Sequence, residues 1–267
     1  MRVLVTGSTG HLGEALMRAL PALGHAPVGL DIIAGPFTQH VGSITDRDVV
    51  RRCLSGVDAV VHAATLHKPH IATHEKRAFI DTNVTGTLTL LEEAVTSRIG
   101  AFIFTSTTSA FGAALLPPPG QPAAWIDEAV QSVPKNIYGV IKTAAEDLCE
   151  LFARKHGLNC IVLRMSRFFP EVDDSKAMRD GYSDTNAKAN EFLFRRVELE
   201  DAVTAHAAAL LKASEIGFGK YVISAPSPFT KHDLARLRCD PAGVVEEKYG
   251  NFRDILCRTR FPNVLRH

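Results

Sequence analysis

The first thirteen residues restrict the possible folds more than any other stretch. Val3, Leu4 and Val5 are consecutive strand formers, Gly7, Gly10 and Gly13 punctuate the turn that follows, and Leu12, Leu16, Ala19, Leu20 and Leu23 recur at helical spacing. Strand, glycine turn and helix in this order open a parallel α/β unit. Glycines let the backbone come close to a bound group, while the first N–H groups of the new helix and the positive end of its dipole point at it. A pyrophosphate at this turn, and hence a dinucleotide, is the expectation. Three glycines also occur in ordinary tight turns, so the surroundings must carry the reading. Residues 26–30 form a second strand run ending at Asp31, which lies 18 residues beyond Gly13, where a carboxylate meets adenosine ribose hydroxyls. Such a carboxylate repels a 2′-phosphate, which favours NAD over NADP. The absence of a Gly-Lys-Ser/Thr ending excludes a phosphate-binding loop of the ATPase kind.

Strand and helix patterns alternate through the rest of the chain. Residues 39–44 read as a short edge strand, and Asp46 is an N-cap for a helix reaching residue 54. Residues 57–64 are a buried-strand run ending in Ala63 and Ala64, whose small side chains leave room for a cofactor across the strand ends. A helix over residues 81–95 places Val84, Leu88, Leu91 and Val95 on one face, and a strand over 101–105 opens into the hydroxyl-rich Thr105-Ser-Thr-Thr-Ser109. A long helix reaches residue 156 with Ile137, Ile141, Ala144, Leu148 and Leu151 as its apolar stripe. Tyr138 and Lys142, four residues apart, stack on adjacent turns of it. A strand at 158–163, a helix at 202–212 and a strand at 220–224 follow, with irregular stretches at 115–124 and 170–188. This alternation predicts an α/β fold of the Rossmann type, a doubly wound parallel sheet with helices on both faces and a small C-terminal substrate-binding region. The expected division is a nucleotide-binding core over residues 1–165 and a reduced substrate-binding region over 166–267, of which 197–224 partly returns to the core.

Charge and composition narrow the function classes. A net charge of +1 gives no electrostatic case for nucleic acid or an anionic membrane as partner. No apolar run approaches the ~20 residues of a bilayer crossing, and Met1 leads straight into a strand without a signal-peptide pattern, so a cytoplasmic location is expected. Cys53, Cys149, Cys160, Cys239 and Cys257 are odd in number and scattered, which indicates reduced thiols instead of a disulfide framework or zinc site. His67, His70 and His74 have a spacing that invites a metal. Without a carboxylate or cysteine partner they read as solvated or substrate-facing loop residues, and no metal is expected.

Six segments together resemble the extended short-chain dehydrogenase/reductases, the NAD-dependent epimerase/dehydratase family. They are Thr6-Gly-Ser-Thr-Gly-His-Leu-Gly13, Asp58-Ala-Val-Val-His-Ala-Ala64, Asn83-Val-Thr-Gly-Thr87, Phe102-Ile-Phe-Thr-Ser-Thr-Thr-Ser-Ala-Phe-Gly112, Tyr138-Gly-Val-Ile-Lys142 and Val197-Glu-Leu-Glu-Asp-Ala-Val-Thr-Ala-His206, in family order. The resemblance implies NAD held by Gly7, Thr9, Gly10, His11, Leu12, Gly13, Asp31, Ala63, Ala64 and Asn83 together with Tyr138 and Lys142. It also implies that Tyr138 exchanges a proton with a substrate oxygen while hydride passes to or from the nicotinamide, that Lys142 positions the nicotinamide ribose, and that Thr107 hydrogen-bonds the same oxygen. A lysine ammonium favours a phenolate, so Lys142 is expected to lower the tyrosine's pKa. Ser106 and Thr108 compete with Thr107, His67 and Arg167 are further substrate candidates, and Asn83 reads as a brace or relay more than as a catalyst. Family members commonly pair through the helices corresponding to 81–95 and 136–156, so a homodimer is implied.

The resemblance strains where nucleotide-sugar enzymes of the family cover their substrate. Only residues 169–195 fill that interval, which favours a smaller, sugar-like or other hydroxyl/carbonyl substrate and a net redox reaction. Arg164, Arg167, Arg179, Arg195 and Arg196 offer cations for a carboxylate or phosphate. Two alternatives stay open: a nucleotide-sugar epimerase or dehydratase with tightly bound NAD, and a non-catalytic sensor of the dinucleotide. The dehydratase variant ranks lowest, because Thr108 and Ser109 supply no carboxylate pair.

Overall fold

Val3, Leu4 and Val5 are all fully buried, the condition of a strand covered on both faces. The computed structural model describes residues 1–169, 196–226 and 229–249. Among them β1 (Arg2–Thr6), β2 (Ala26–Asp31), β3 (His40–Val41), β4 (Ala59–His62), β5 (Ala101–Thr107), β6 (Cys160–Met165) and β9 (Phe218–Ile223) make one sheet, ordered β3-β2-β1-β4-β5-β6-β9 and parallel throughout. A separate ribbon pairs β7 (Arg167–Phe169) with β8 (Arg196–Glu198), setting Arg167 opposite Arg196.

Helices cover both faces because strand side chains alternate. Leu4, Val60, Phe102, Phe104 and Val162 enter one core with α2 (Arg47–Cys53), α4 (Gly86–Thr96) and α5 (Ile137–His156). Val3, Val5, Val61, Ile103 and Leu163 enter the other with α1 (His11–Ala19) and α6 (Leu199–Ile216). From β1 the chain winds outward to β3, then crosses back to β4 and runs the other way. Strand order therefore reverses beside β1, and the crevice at the ends of β1 and β4 is where open sheets of this kind hold ligands. The doubly wound sheet matches the expectation from sequence.

Three local expectations change. The edge strand shrinks to His40–Val41. The helix expected over 81–95 begins earlier, as α3 (Lys76–Ile80), passes through one π turn (Asp81–Thr85) and continues as α4. On α5 the buried face carries Tyr138, Ile141, Lys142, Ala145, Glu146, Cys149 and Phe152, while Leu151 of the expected stripe is exposed. The stripe misled because three polar side chains of this helix point inward, each with a partner.

At the other end, α7 (Leu234–Cys239), which α8 (Pro241–Tyr249) follows, reaches back to the irregular stretch 115–124. Ala123 N donates to Leu234 O at 2.9 Å and an Arg238 Nη to Pro117 O at 3.1 Å. Residues 250–267, Cys257 included, lie outside the described residues, as do the expected irregular stretch 170–188, Arg179 and Arg195. Among the described residues no helix is long and apolar enough to cross a membrane.

Candidate active site

The glycine turn is built as its sequence requires. Gly7 has φ +76° and lies so near β4 that a Cβ on it would stand 2.8 Å from Ala64 N; one on Gly13 would stand 1.9 Å from Gly7 O. Gly10 caps α1 without any side-chain hydrogen bond, so the helix offers its first N–H groups, those of His11 and Leu12 included, to an anion. At the end of β2 one Asp31 oxygen accepts from Thr9 N at 3.0 Å and Thr9 Oγ1 at 2.8 Å, and the other accepts from Ile33 N at 3.1 Å. This fixes the carboxylate beside the turn before any ribose arrives. An uncapped helix start, a close backbone cradle and an anchored carboxylate fit a dinucleotide.

Behind the crevice runs a buried polar chain. Ala64 N donates to Thr6 Oγ1 at 3.2 Å, Thr6 Oγ1 lies 2.8 Å from His62 Nδ1, His62 Nε2 lies 2.9 Å from Thr87 Oγ1, and Thr87 Oγ1 donates to Asn83 O at 2.7 Å. Counting protons fixes the tautomer. Thr87 spends its proton on Asn83, so His62 Nε2 carries a hydrogen and Nδ1 accepts from Thr6. Burial first, and then the nearby Lys142 cation, push the His62 imidazole down to about 3, which keeps it neutral. Asn83, 2% exposed, closes the loop after β4: its amide oxygen accepts from Leu66 N at 2.8 Å and Thr65 Oγ1 at 3.1 Å, and its nitrogen donates to Leu66 O at 2.8 Å. Its side chain is a brace, and the π turn is what swings it inward.

Tyr138, Lys142 and Thr107 meet at the end of β5. Asn136 accepts from Gly139 N at 2.9 Å and so starts α5 one residue before the chemistry. The Tyr138 ring packs with Phe79 and Ile141, and Thr107 is the polar neighbour of its hydroxyl. Burial pushes the phenol up to about 12, against the neighbouring Thr107 hydroxyl, which lowers it. Lys142, 2% exposed, donates from Nζ to Thr105 O at 2.8 Å and lies 4.7 Å from the Phe104 ring centre. Desolvation pushes it down to about 7, opposed by Glu146 and Cys149. The expectation that Lys142 depresses the Tyr138 pKa is corrected: burial decides, and the phenol moves up.

The remaining candidates divide. Ser106 donates to Glu146 Oε1 at 2.5 Å, inside a cluster in which Arg164 Nη2 reaches Glu146 Oε2 at 2.6 Å and Ser132 Oγ at 3.2 Å. Ser106 and Arg164 are therefore withdrawn from the substrate set, since their polar groups are committed to a buried ion pair. Thr108 is buried at the start of the 3-10 turn Thr108–Phe111. Thr107 Oγ1 accepts from Ser109 N at 3.1 Å, which leaves its own proton to donate elsewhere. His67 stands at the exposed mouth, stacked on His70 with ring centres 4.5 Å apart. It is pushed down to about 4 by desolvation and by the charges of His70 and Lys142. Among the described residues no three His, Cys, Asp or Glu side chains gather to hold a metal. Arg167 sits half-buried on the ribbon, and Phe168 beside it meets His11 edge-on at 5.9 Å, joining the ribbon to the glycine turn.

Two residues of the site escaped the sequence reading. Glu146 is one helical turn beyond Lys142, a spacing that could have flagged it. His206, fully buried, donates from Nδ1 to Ala202 O at 2.7 Å and takes the Thr105 hydroxyl on Nε2 at 2.9 Å, so it holds the residue whose carbonyl receives Lys142.

Known proteins resemble this chain in sequence and in fold. A UDP-glucose 4-epimerase of Rhizobium meliloti (strain 1021) is 31% identical over 171 residues, 61% of this chain and 50% of that protein. A uronate dehydrogenase of Pseudomonas syringae pv. tomato is 25% identical over 185 residues, 66% of this chain and 63% of that protein. The crystal structure of a short-chain dehydrogenase/reductase superfamily protein from Agrobacterium tumefaciens with bound NAD superposes with a TM-score of 0.68 at 20% identity, covering 88% of this chain and 81% of that one, a likeness of fold. The chain spans about half the length of the first curated relatives it matches. The sequence model described as the NAD dependent epimerase/dehydratase family matches residues 3–223, from the first strand of the sheet to the last and through every site residue named above. The chain belongs to that family.

Proposed function

We propose that this protein binds NAD across the ends of β1, β4, β5 and β6 and transfers hydride between the nicotinamide and a small hydroxyl- or carbonyl-bearing substrate, sugar-like in character. The observation that carries the reading is the neighbouring Tyr138 and Thr107 hydroxyls at the end of β5, with Lys142 one turn along the same helix. When bound, the cofactor supplies the hydride acceptor or donor. The chain's own residues do the rest. Gly7, Gly10 and the open start of α1 receive the pyrophosphate, and Asp31 takes the adenosine ribose hydroxyls, which selects NAD over NADP. Thr107 and Tyr138 hold one substrate oxygen, and Tyr138 takes or returns its proton. Lys142, held by Thr105 O beneath the ring of Phe104, places its ammonium beside the nicotinamide ribose. His67, Thr108 and Arg167 line the approach for the substrate.

A second reading is supported by the epimerase relative: hydride returns to the product and NAD stays bound. Incubation with candidate sugars, uronates included, separates the two. Net NADH formation supports the redox reading, and an isomer without NADH supports the epimerase. Turnover unchanged in Tyr138→Phe would remove both and leave a dinucleotide sensor. Pairing of two chains through α4 and α5 is supported by Val140 and Leu151, 50% and 38% exposed on α5. Sedimentation as a monomer at working concentration would exclude it.

A further inference from the structure

Ser166 is 4% exposed and its hydroxyl has no hydrogen-bond partner among the described residues. A buried hydroxyl without a partner is costly, because it has given up water and received nothing in exchange. Among the described residues the one other such atom is His25 Nδ1, which precedes β2 at the opposite edge of the sheet. Ser166 is at the functional edge. It follows Met165 directly, Met165 pairs in register with Thr107, and Ser166 N continues the ladder by donating to Ile223 O at 2.9 Å. Because that backbone is still extended, the period of two puts its side chain on the face of Arg164, whose guanidinium meets α5 at Glu146. This is the face that carries Tyr138 and Lys142.

We propose that the Ser166 hydroxyl is kept for the carboxamide of the bound nicotinamide; the inference rests on the dinucleotide reading above. A dinucleotide anchored by its pyrophosphate at the end of β1 and by its adenosine ribose at β2 extends the other way, over β4 and β5 toward β6. From β1 to β6 is three strand spacings, roughly 14 Å at about 4.8 Å each. The polar group at the far end of that half of the molecule is the carboxamide, which offers both a donor and an acceptor to a hydroxyl that can play either part. The substrate oxygen is already served by Thr107 and Tyr138, one strand away.

The test compares two ligands that differ by the nicotinamide. Ser166→Ala and the wild-type protein are titrated calorimetrically with NAD and with ADP-ribose, and the ligand-free melting temperatures are measured. The expected result is NAD binding weakened about tenfold, ADP-ribose binding unchanged within about twofold, and a ligand-free melting temperature that stays or rises, since the lost hydroxyl had no partner. Equal weakening of both ligands, or a lowered ligand-free melting temperature, assigns the residue a structural part and overturns the inference. NAD binding that does not change, with weaker substrate binding, moves the hydroxyl to the substrate and likewise overturns it. Wild-type protein that binds neither ligand removes the dinucleotide reading and this inference with it, whereas loss of this inference alone leaves wild-type binding intact.

Discussion

Lys142 Nζ lies 2.8 Å from the main-chain oxygen of Thr105, and that same threonine holds His206 through its side chain. The catalytic-helix lysine is thus positioned by the sheet strand behind it, and the strand by a histidine on the opposite face. One carbonyl, the ring of Phe104 and the opposing influence of Glu146 and Cys149 do not make up for an ammonium's lost hydration, and burial pushes Lys142 down to about 7 from its ordinary value.

Lys142→Met is expected to stabilise the protein while abolishing most turnover. The folded state holds this proton less tightly than the unfolded chain, so the penalty is present in full below about pH 7 and disappears as pH rises toward the ordinary lysine value. Allowing for the hydrogen bond lost at Thr105, the gain at pH 7 should be about 1–3 kcal/mol and should shrink by pH 9–10. Urea denaturation at the two pH values measures it. A variant less stable than wild type at pH 7 would contradict the assignment of a buried, poorly compensated cation.

Thr107 is the residue that draws the Tyr138 phenol back toward neutrality. In Thr107→Val the phenol should rise further, moving the basic limb of the oxidation pH–rate profile to higher pH. Rate near neutrality should fall about 10- to 100-fold and recover partly in alkali. Thr107→Ser, which keeps the hydroxyl, should hold the wild-type profile.

His62 and His206 are buried neutral, pushed down to about 3 and about 4. Both bind protons more weakly folded than unfolded. Their contribution to stability is therefore complete above the ordinary histidine value and is lost as pH falls from about 6.5 toward 4. On the order of a few kcal/mol per group should be lost over that range. Denaturation at pH 7.5, 6 and 5 reads the slope, and His206→Gln, which keeps a donor and an acceptor, should flatten it.

Asp31 accepts twice from Thr9 on one oxygen and once from Ile33 on the other, and the second oxygen keeps a lone pair for a ribose hydroxyl. Asp31→Ala should weaken NAD about tenfold and narrow the preference over NADP, as fluorescence titration with the two cofactors would report. A preference for NADP in the wild-type protein would reverse the reading of this residue.

Much of the site was legible because its parts are local. The glycines at 7, 10 and 13, the aspartate ending β2 and the Tyr138/Lys142 spacing each state a backbone or helical requirement that neighbouring residues alone can express. Alternating strand and helix periods likewise fixed the doubly wound sheet without reference to contacts. What the tertiary structure decided are the allegiances of polar groups, which depend on residues far apart in the chain. Ser106 could be a substrate ligand until Glu146, 40 positions away, takes its proton. Arg164 could bind an anion until the same carboxylate neutralises it, and Asn83 could touch cofactor until the π turn brings its amide onto Leu66. The tyrosine's acidity is of this kind too: the sequence places a lysine nearby, but depth of burial, a property of the packed whole, determines which way the phenol shifts.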